Sequence, residues 1–403
     1  MTIDRSVPPE RLERFRRRIA SNAAGWLGFI RQRGSDVAGL ELEFANLTKS
    51  VSQALLEPLA FVAGLDLVVA LWPFVELRGY WLGWERVLQE ALVVCRSLDR
   101  PAVEAQLLDQ LGDLARIVGD SRSALAWQEQ SLTINRRLDD PANVGRVLDH
   151  LSLQHLALGD HPAAERCSRE AVDLFAQTGN QANLAAALNN RGLICQQGGQ
   201  WELAIQHHAD AAALYEALGN RRGQAKAIHN QGEAYRHLRR PDDAEACFRQ
   251  AVAMLADAGD EINAARSRVI LGVALHGKGQ TEQALAMHRE VEPLFRRLSD
   301  RPWLARVVNN QGVFLATLGR TAEAAQAYEE AVELHLINAD RALAASSLLN
   351  WAELLLDHGQ AAEARTRLEQ AQELLSALPS PPAWVVRTYE TLTRRLAGAA
   401  QTG

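Results

Sequence analysis

From Gln181 to Asn220 the chain reads QANLAAALNNRGLICQQGGQWELAIQHHADAAALYEALGN. Ala185, Leu188, Gly192 and Cys195 recur at three- and four-residue steps, the period of one helix face. Leu184, Ala187 and Ile194 widen that stripe. The pattern breaks at QQGGQ, where Gly199 is placed to end a helix. Ala204, Ile205, His208, Ala211, Ala212 and Leu218 form a second amphipathic run, which Asn220 closes. These forty residues predict a helix hairpin.

The hairpin recurs. Blocks of 40 residues begin at Phe61, Pro101, Pro141, Gln181, Arg221, Glu261, Arg301 and Arg341. Position 19 of each block is Gly79, Gly119, Gly159, Gly199, Gly279, Gly319 and Gly359, with Arg239 as the exception. Position 24 is alanine from Ala124 to Ala364, with Trp84 as the exception. Position 12 is Gly in five blocks and position 31 is Ala in six. Small residues let helices approach closely, so position 12 of the first helix is expected to face positions 24 and 31 of the second. Position 19 is expected to turn the chain in a left-handed conformation that costs glycine little. A hairpin cannot bury its apolar face alone, so the blocks are expected to stack into a solenoid.

The ends differ. Residues 9–33 and 39–56 read as two helices ahead of the first block, and residues 1–60 as an N-terminal cap. Residues 1–35 hold eight Arg against three acids, which suits a solvated outer face. The apolar run Leu59 to Val75 carries Asp66 and Pro73, and is read as a buried helix pair rather than a membrane span. PSPPAWVV ends the repeats, because successive prolines cannot continue a helix. Residues 381–403 are read as a capping helix from Trp384 to Leu396 followed by a frayed tail.

Charge narrows the functional classes. The net charge is −6, so nothing global points to nucleic acid. Met1 is followed by Asp4, Arg5 and a Pro-Pro pair rather than an apolar run, so no secretory leader is expected. Cys95, Cys167, Cys195 and Cys247 form no CxxC pair and are expected to be free thiols in a reducing cytoplasm.

The Gly, Ala and Ala columns resemble the tetratricopeptide repeat, well over residues 101–380 and weakly over 61–100. The 40-residue form is similar to repeats in Pins-type polarity adaptors and in the C-terminal arms of bacterial signal-transducing (STAND-type) ATPases. LELEFANLTKSVSQAL followed by LVVALWPFVELRGYWLGWERVLQEAL is similar to the junction where such arms leave the ATPase module; the ATPase itself is not read in this sequence. The resemblance implies a right-handed all-α superhelix whose first-helix positions 6, 9, 13 and 16 line a concave groove. Position 6 carries Arg146, Lys226, Arg266 and Arg306, a rail of cations suited to carboxylate or phosphate. Position 9 supplies Asn189, His229 and Asn309, and position 10 supplies Asn190, Asn230, Asn310 and Asn350. Glu233 stands at position 13. Amides can bond an extended peptide backbone; equally, the position-10 asparagines can satisfy groups between neighbouring hairpins. No Lys occupies position 9, so the chaperone-tail clamp pattern is missing.

Catalytic motifs are weak. GVALHGKG, Gly272 to Gly279, nearly spells a phosphate loop, but Gly279 follows Lys278 where Ser or Thr is needed, and the context is helical. His150, His155, His161, His207 and His208 lack the helical spacing of a zinc site. The sequence therefore predicts a cytoplasmic binding scaffold, not an enzyme, with no cofactor or metal. Its partner is expected to be a protein or peptide with an acidic or phosphate-bearing segment. Nucleic acid and membrane are not expected. The alternative function is a sensing arm that works with a separate ATPase.

Overall fold

The computed structural model describes residues 8–33, 36–81 and 83–399. Every secondary-structure element among them is helical. The last residues of the tail read as frayed, 400–403, lie outside the described residues.

The chain forms two compact units, Met1–Gly198 and Gly199–Gly403. The first holds α1 (Pro9–Arg33), α2 (Val37–Ala54), a 3₁₀ turn (Pro58–Ala60), α3 (Phe61–Arg78), α4 (Trp84–Ser97), α5 (Pro101–Ile117), α6 (Ser121–Arg137), α7 (Pro141–Ala157), α8 (His161–Gln177) and α9 (Gln181–Gln197). The second holds α10 (Trp201–Ala217), α11 (Arg221–His237), α12 (Pro241–Asp257), α13 (Glu261–Gly277), α14 (Thr281–Arg297), α15 (Arg301–Thr317), α16 (Thr321–Ile337), α17 (Arg341–Asp357), α18 (Ala361–Ser376) and α19 (Ala383–Ala399). Within each unit consecutive helices pack on one another.

The apolar run after Leu59 is one helix, α3, rather than a pair. It is long and apolar enough to cross a membrane, but half of that stretch is buried. Leu65, Leu67, Val68, Leu71 and Val75 are fully enclosed in the first unit's core.

The turns explain the forty-residue rule. Every position-19 glycine named above has positive φ, from 72° at Gly79 to 86° at Gly119. Arg239 adopts the same conformation at φ 56° without the glycine. A second left-handed residue ends every block but the last, as at Gly259 and Ser299. Position 40 then caps the next helix. The side chains of Asp140, Asn180, Asn220, Asp260, Asp300 and Asp340 each accept a hydrogen bond from the backbone N–H three residues on, satisfying an otherwise orphaned donor.

At Gly112, Gly232, Gly272 and Gly312 the close contact inside the hairpin is more than the small-on-small packing expected. Positions 24 and 31 are buried, but position 12 meets position 28, which lies between them on the same face. A methyl group on Gly232 would come within 2.8 Å of Phe248; on Gly272, 2.5 Å from His288; on Gly312, 2.6 Å from Tyr328. Each glycine is the socket for a large side chain. Position 28 varies in identity, so it leaves no column of small residues in the sequence.

Candidate functional site

The first helices of the second unit, α11, α13 and α15, carry Lys226, His229, Asn230, Arg266 and Trp303 into one cleft of about 560 Å³. A neighbouring cleft of about 710 Å³ shares His229 and Trp303 and adds Glu233, Arg306, Asn309 and Asn310, with Trp384 of α19 at its margin. Eight of the twelve groove residues named from sequence therefore line one continuous surface.

Trp303 sits at its centre. Its ring stacks on Phe295 at 6.1 Å between centroids. The Arg266 guanidinium lies 5.5 Å and that of Arg306 4.7 Å from the Trp303 ring centre. Arg266 is further held by Asp300 at 2.8 Å, the same carboxylate that caps α15 at the Trp303 N–H. The cap, the ring and the cation are thus one construction. Arg266 Nε is nevertheless buried without a hydrogen-bond partner, as is His229 Nδ1. Burial holds the His229 imidazole below its ordinary pKa, so the ring is neutral near pH 7.

Charge in the clefts is partly cancelled. Arg222 pairs with Asp260 at 3.3 Å and Arg236 with Glu233 at 2.8 Å. Among the described residues, no carboxylate lies within ion-pair distance of Lys226 or Arg306, and both are exposed. The surface keeps an excess of positive charge and two buried groups with unused hydrogen-bonding capacity.

The remaining predicted residues are committed within the fold. In the first unit the Arg146 guanidinium bonds Asp109, and Asn189 is buried. Asn190 Nδ2 donates to Asp149 at 3.0 Å. In the second unit Asn350 Nδ2 donates to Asn309 Oδ1 at 3.3 Å, which also accepts from Ser347 Oγ at 2.9 Å. These links join position 10 of one block to position 9 of the block before, 41 residues earlier. Asn310 bonds His288 Nε2 at 3.3 Å. At Asn190, Asn310 and Asn350, then, the amide ties neighbouring hairpins together.

Sequence reasoning passed over Trp303 and Trp384. Trp303 was detectable: it occupies position 3, where other blocks have Ala63, Val103, Asn143, Asn183, Gly223, Asn263 or Leu343.

No nucleotide cradle forms at GVALHGKG. Lys278 bonds Asp242 at 2.6 Å and Glu245 at 2.5 Å, and Gly272 is the socket for His288. Burial also pushes the Cys95 and Cys247 thiols up to about 11, so neither is a ready nucleophile.

The tetratricopeptide-repeat family matches residues 143–217, 183–257, 223–297 and 260–336. Residues 143–336 carry a tetratricopeptide-repeat array. No curated protein matches the sequence. Among solved structures, a Rap protein complexed with competence and sporulation factor is 14% identical, with 95% of this chain and 99% of that one covered at a TM-score of 0.59. Aspartyl phosphate phosphatase F from Bacillus subtilis is 13% identical over 90% of this chain and 94% of that one, at 0.58. A STAND protein with a tetratricopeptide-repeat sensor, PH0952 from Pyrococcus horikoshii, is 12% identical at 0.60; 81% of this chain is covered but only 51% of that protein. At these identities the likeness is one of fold: tetratricopeptide hairpins stacked in an all-α solenoid.

Proposed function

We propose that this protein binds an extended acidic segment of a protein partner in the second unit's clefts, around Trp303. Tetratricopeptide repeats are protein-interaction scaffolds, and the matched region includes the helices that carry the clefts. The observation that carries the reading is the pair of guanidiniums on one indole, with Arg266 Nε buried and unsatisfied. A buried donor without a partner costs free energy. A carboxylate accepting from the part-exposed Arg266 guanidinium and facing Arg306 would form charge-assisted bonds. Trp384, half exposed, offers a face for the segment's apolar side chains. The similar Rap structure was solved with competence and sporulation factor, which fits a site of this kind in this fold.

A second reading, a sensing arm that works with a separate ATPase, draws on the likeness to the STAND protein, of which this chain spans about half. The two differ in consequence: a sensing arm requires a cognate ATPase whose turnover responds to this chain.

The test is a random-peptide selection on the full chain, followed by photo-crosslinking of the selected sequences. Acidic peptides that crosslink beside Trp303 are the expected result. Enrichment of basic or uncharged peptides, or crosslinks confined to the first unit, would overturn it.

A further inference from the structure

The first unit contains a buried cluster that the peptide reading does not use. Asp109 and Asp113 lie one turn apart on α5, and His150 comes from α7. Their ligand atoms lie within 4.8 Å of one another. His150 Nδ1 stands 3.2 Å from Asp109 Oδ1 and 3.4 Å from Asp113 Oδ1. Both aspartates are more than nine-tenths buried, and Asp113 Oδ1 has no hydrogen-bond partner.

We propose that Asp109, Asp113 and His150 form a site for one divalent first-row transition metal ion. The two histidine–aspartate spacings fit: two ligands each about 2.1 Å from a tetrahedral ion stand roughly 3.4 Å apart. One imidazole nitrogen with two carboxylate oxygens suits an ion that accepts mixed nitrogen and oxygen ligands, and water completes the coordination. Arg146 supplies the outer support. It bonds Asp109 Oδ2, which leaves Oδ1 turned towards His150, the way a metal-binding carboxylate is usually held. Charge favours a dication. Four carboxylates act on the cluster: Glu76 on α3, Asp109 and Asp113 on α5, and Asp149 on α7. They face two guanidiniums, Arg116 and Arg146. A divalent ion restores neutrality.

The test is titration of the EDTA-treated full chain with Co²⁺ and with Zn²⁺. One equivalent of either should bind, raising Tm. Co²⁺ should give visible absorption without the near-ultraviolet band of a thiolate ligand. Asp113→Asn, the same size and uncharged, should weaken binding at least tenfold with the circular dichroism spectrum unchanged, and His150→Gln should do likewise. If the wild type binds neither ion, if a thiolate band appears, or if both variants bind as tightly as wild type, the site is refuted and the cluster is an internal ion-pair network.

Discussion

At the scale of single residues, two side chains report how the repeat is built. Arg239 alone among the position-19 residues of the blocks is not glycine, and it still takes a left-handed backbone. That conformation costs an L-residue about 1–2 kcal/mol, and glycine returns roughly 0.5–1 kcal/mol of this through the freer unfolded chain. Arg239→Gly should therefore stabilise the protein by about 0.5–1 kcal/mol, read from urea unfolding. His288 fills the Gly272 socket, and burial holds its imidazole down at about 4. Unfolded, the ring titrates near 6.5. Between pH 6.5 and 4 the unfolded chain binds the extra proton, so stability falls as pH falls through that window. His288→Phe copies the Gly232–Phe248 pair and should flatten this part of the stability–pH curve. An unchanged slope would show that His288 is not its source.

At the scale of the hairpin, the sequence was readable because backbone geometry is the constraint. A left-handed turn after each helix keeps the register, and at position 19 glycine marks it. The Asp and Asn column at position 40 is nearly as regular, broken at Arg100 and Ser380, since a helix start leaves donors that a short side chain satisfies. Contacts that depend on pairing across hairpins were harder to read. The partner of position 12 changes from Gln128 to Phe248, His288 and Tyr328, so no column betrays it. The links 41 residues apart join different residue types in each block. The equivalence of the caps predicts the effect of deletion. Removing residues 261–300 puts Asp260 in the place of Asp300 at the start of α15 and should leave a cooperatively unfolding helical protein. Removing residues 261–280 takes out one helix of a pair and should abolish the cooperative transition. Equal behaviour of the two deletions would contradict the 40-residue unit.

At the scale of the molecule, the proposed binding surface is the pair of clefts in the second unit. The period located the position-6 cations, but their roles depend on neighbours that periodicity does not encode. Arg146 is committed to a buried aspartate, Arg266 is braced by a helix cap, and Arg306 lies on an indole without a carboxylate. Exposure and charge leave Lys226 and Arg306 the most available to a partner. The affinity of a selected acidic peptide, measured by fluorescence anisotropy for wild type and variants, tests the claim most directly. Binding should weaken as salt rises. Arg306→Glu, and Arg266→Glu with Arg306→Glu, should each lose tenfold or more in affinity, about 1.4 kcal/mol. Arg249→Glu on α12, a residue paired with Glu245 outside the clefts, should bind as wild type. Normal affinity in both cleft variants together with a loss in Arg249→Glu would contradict the account.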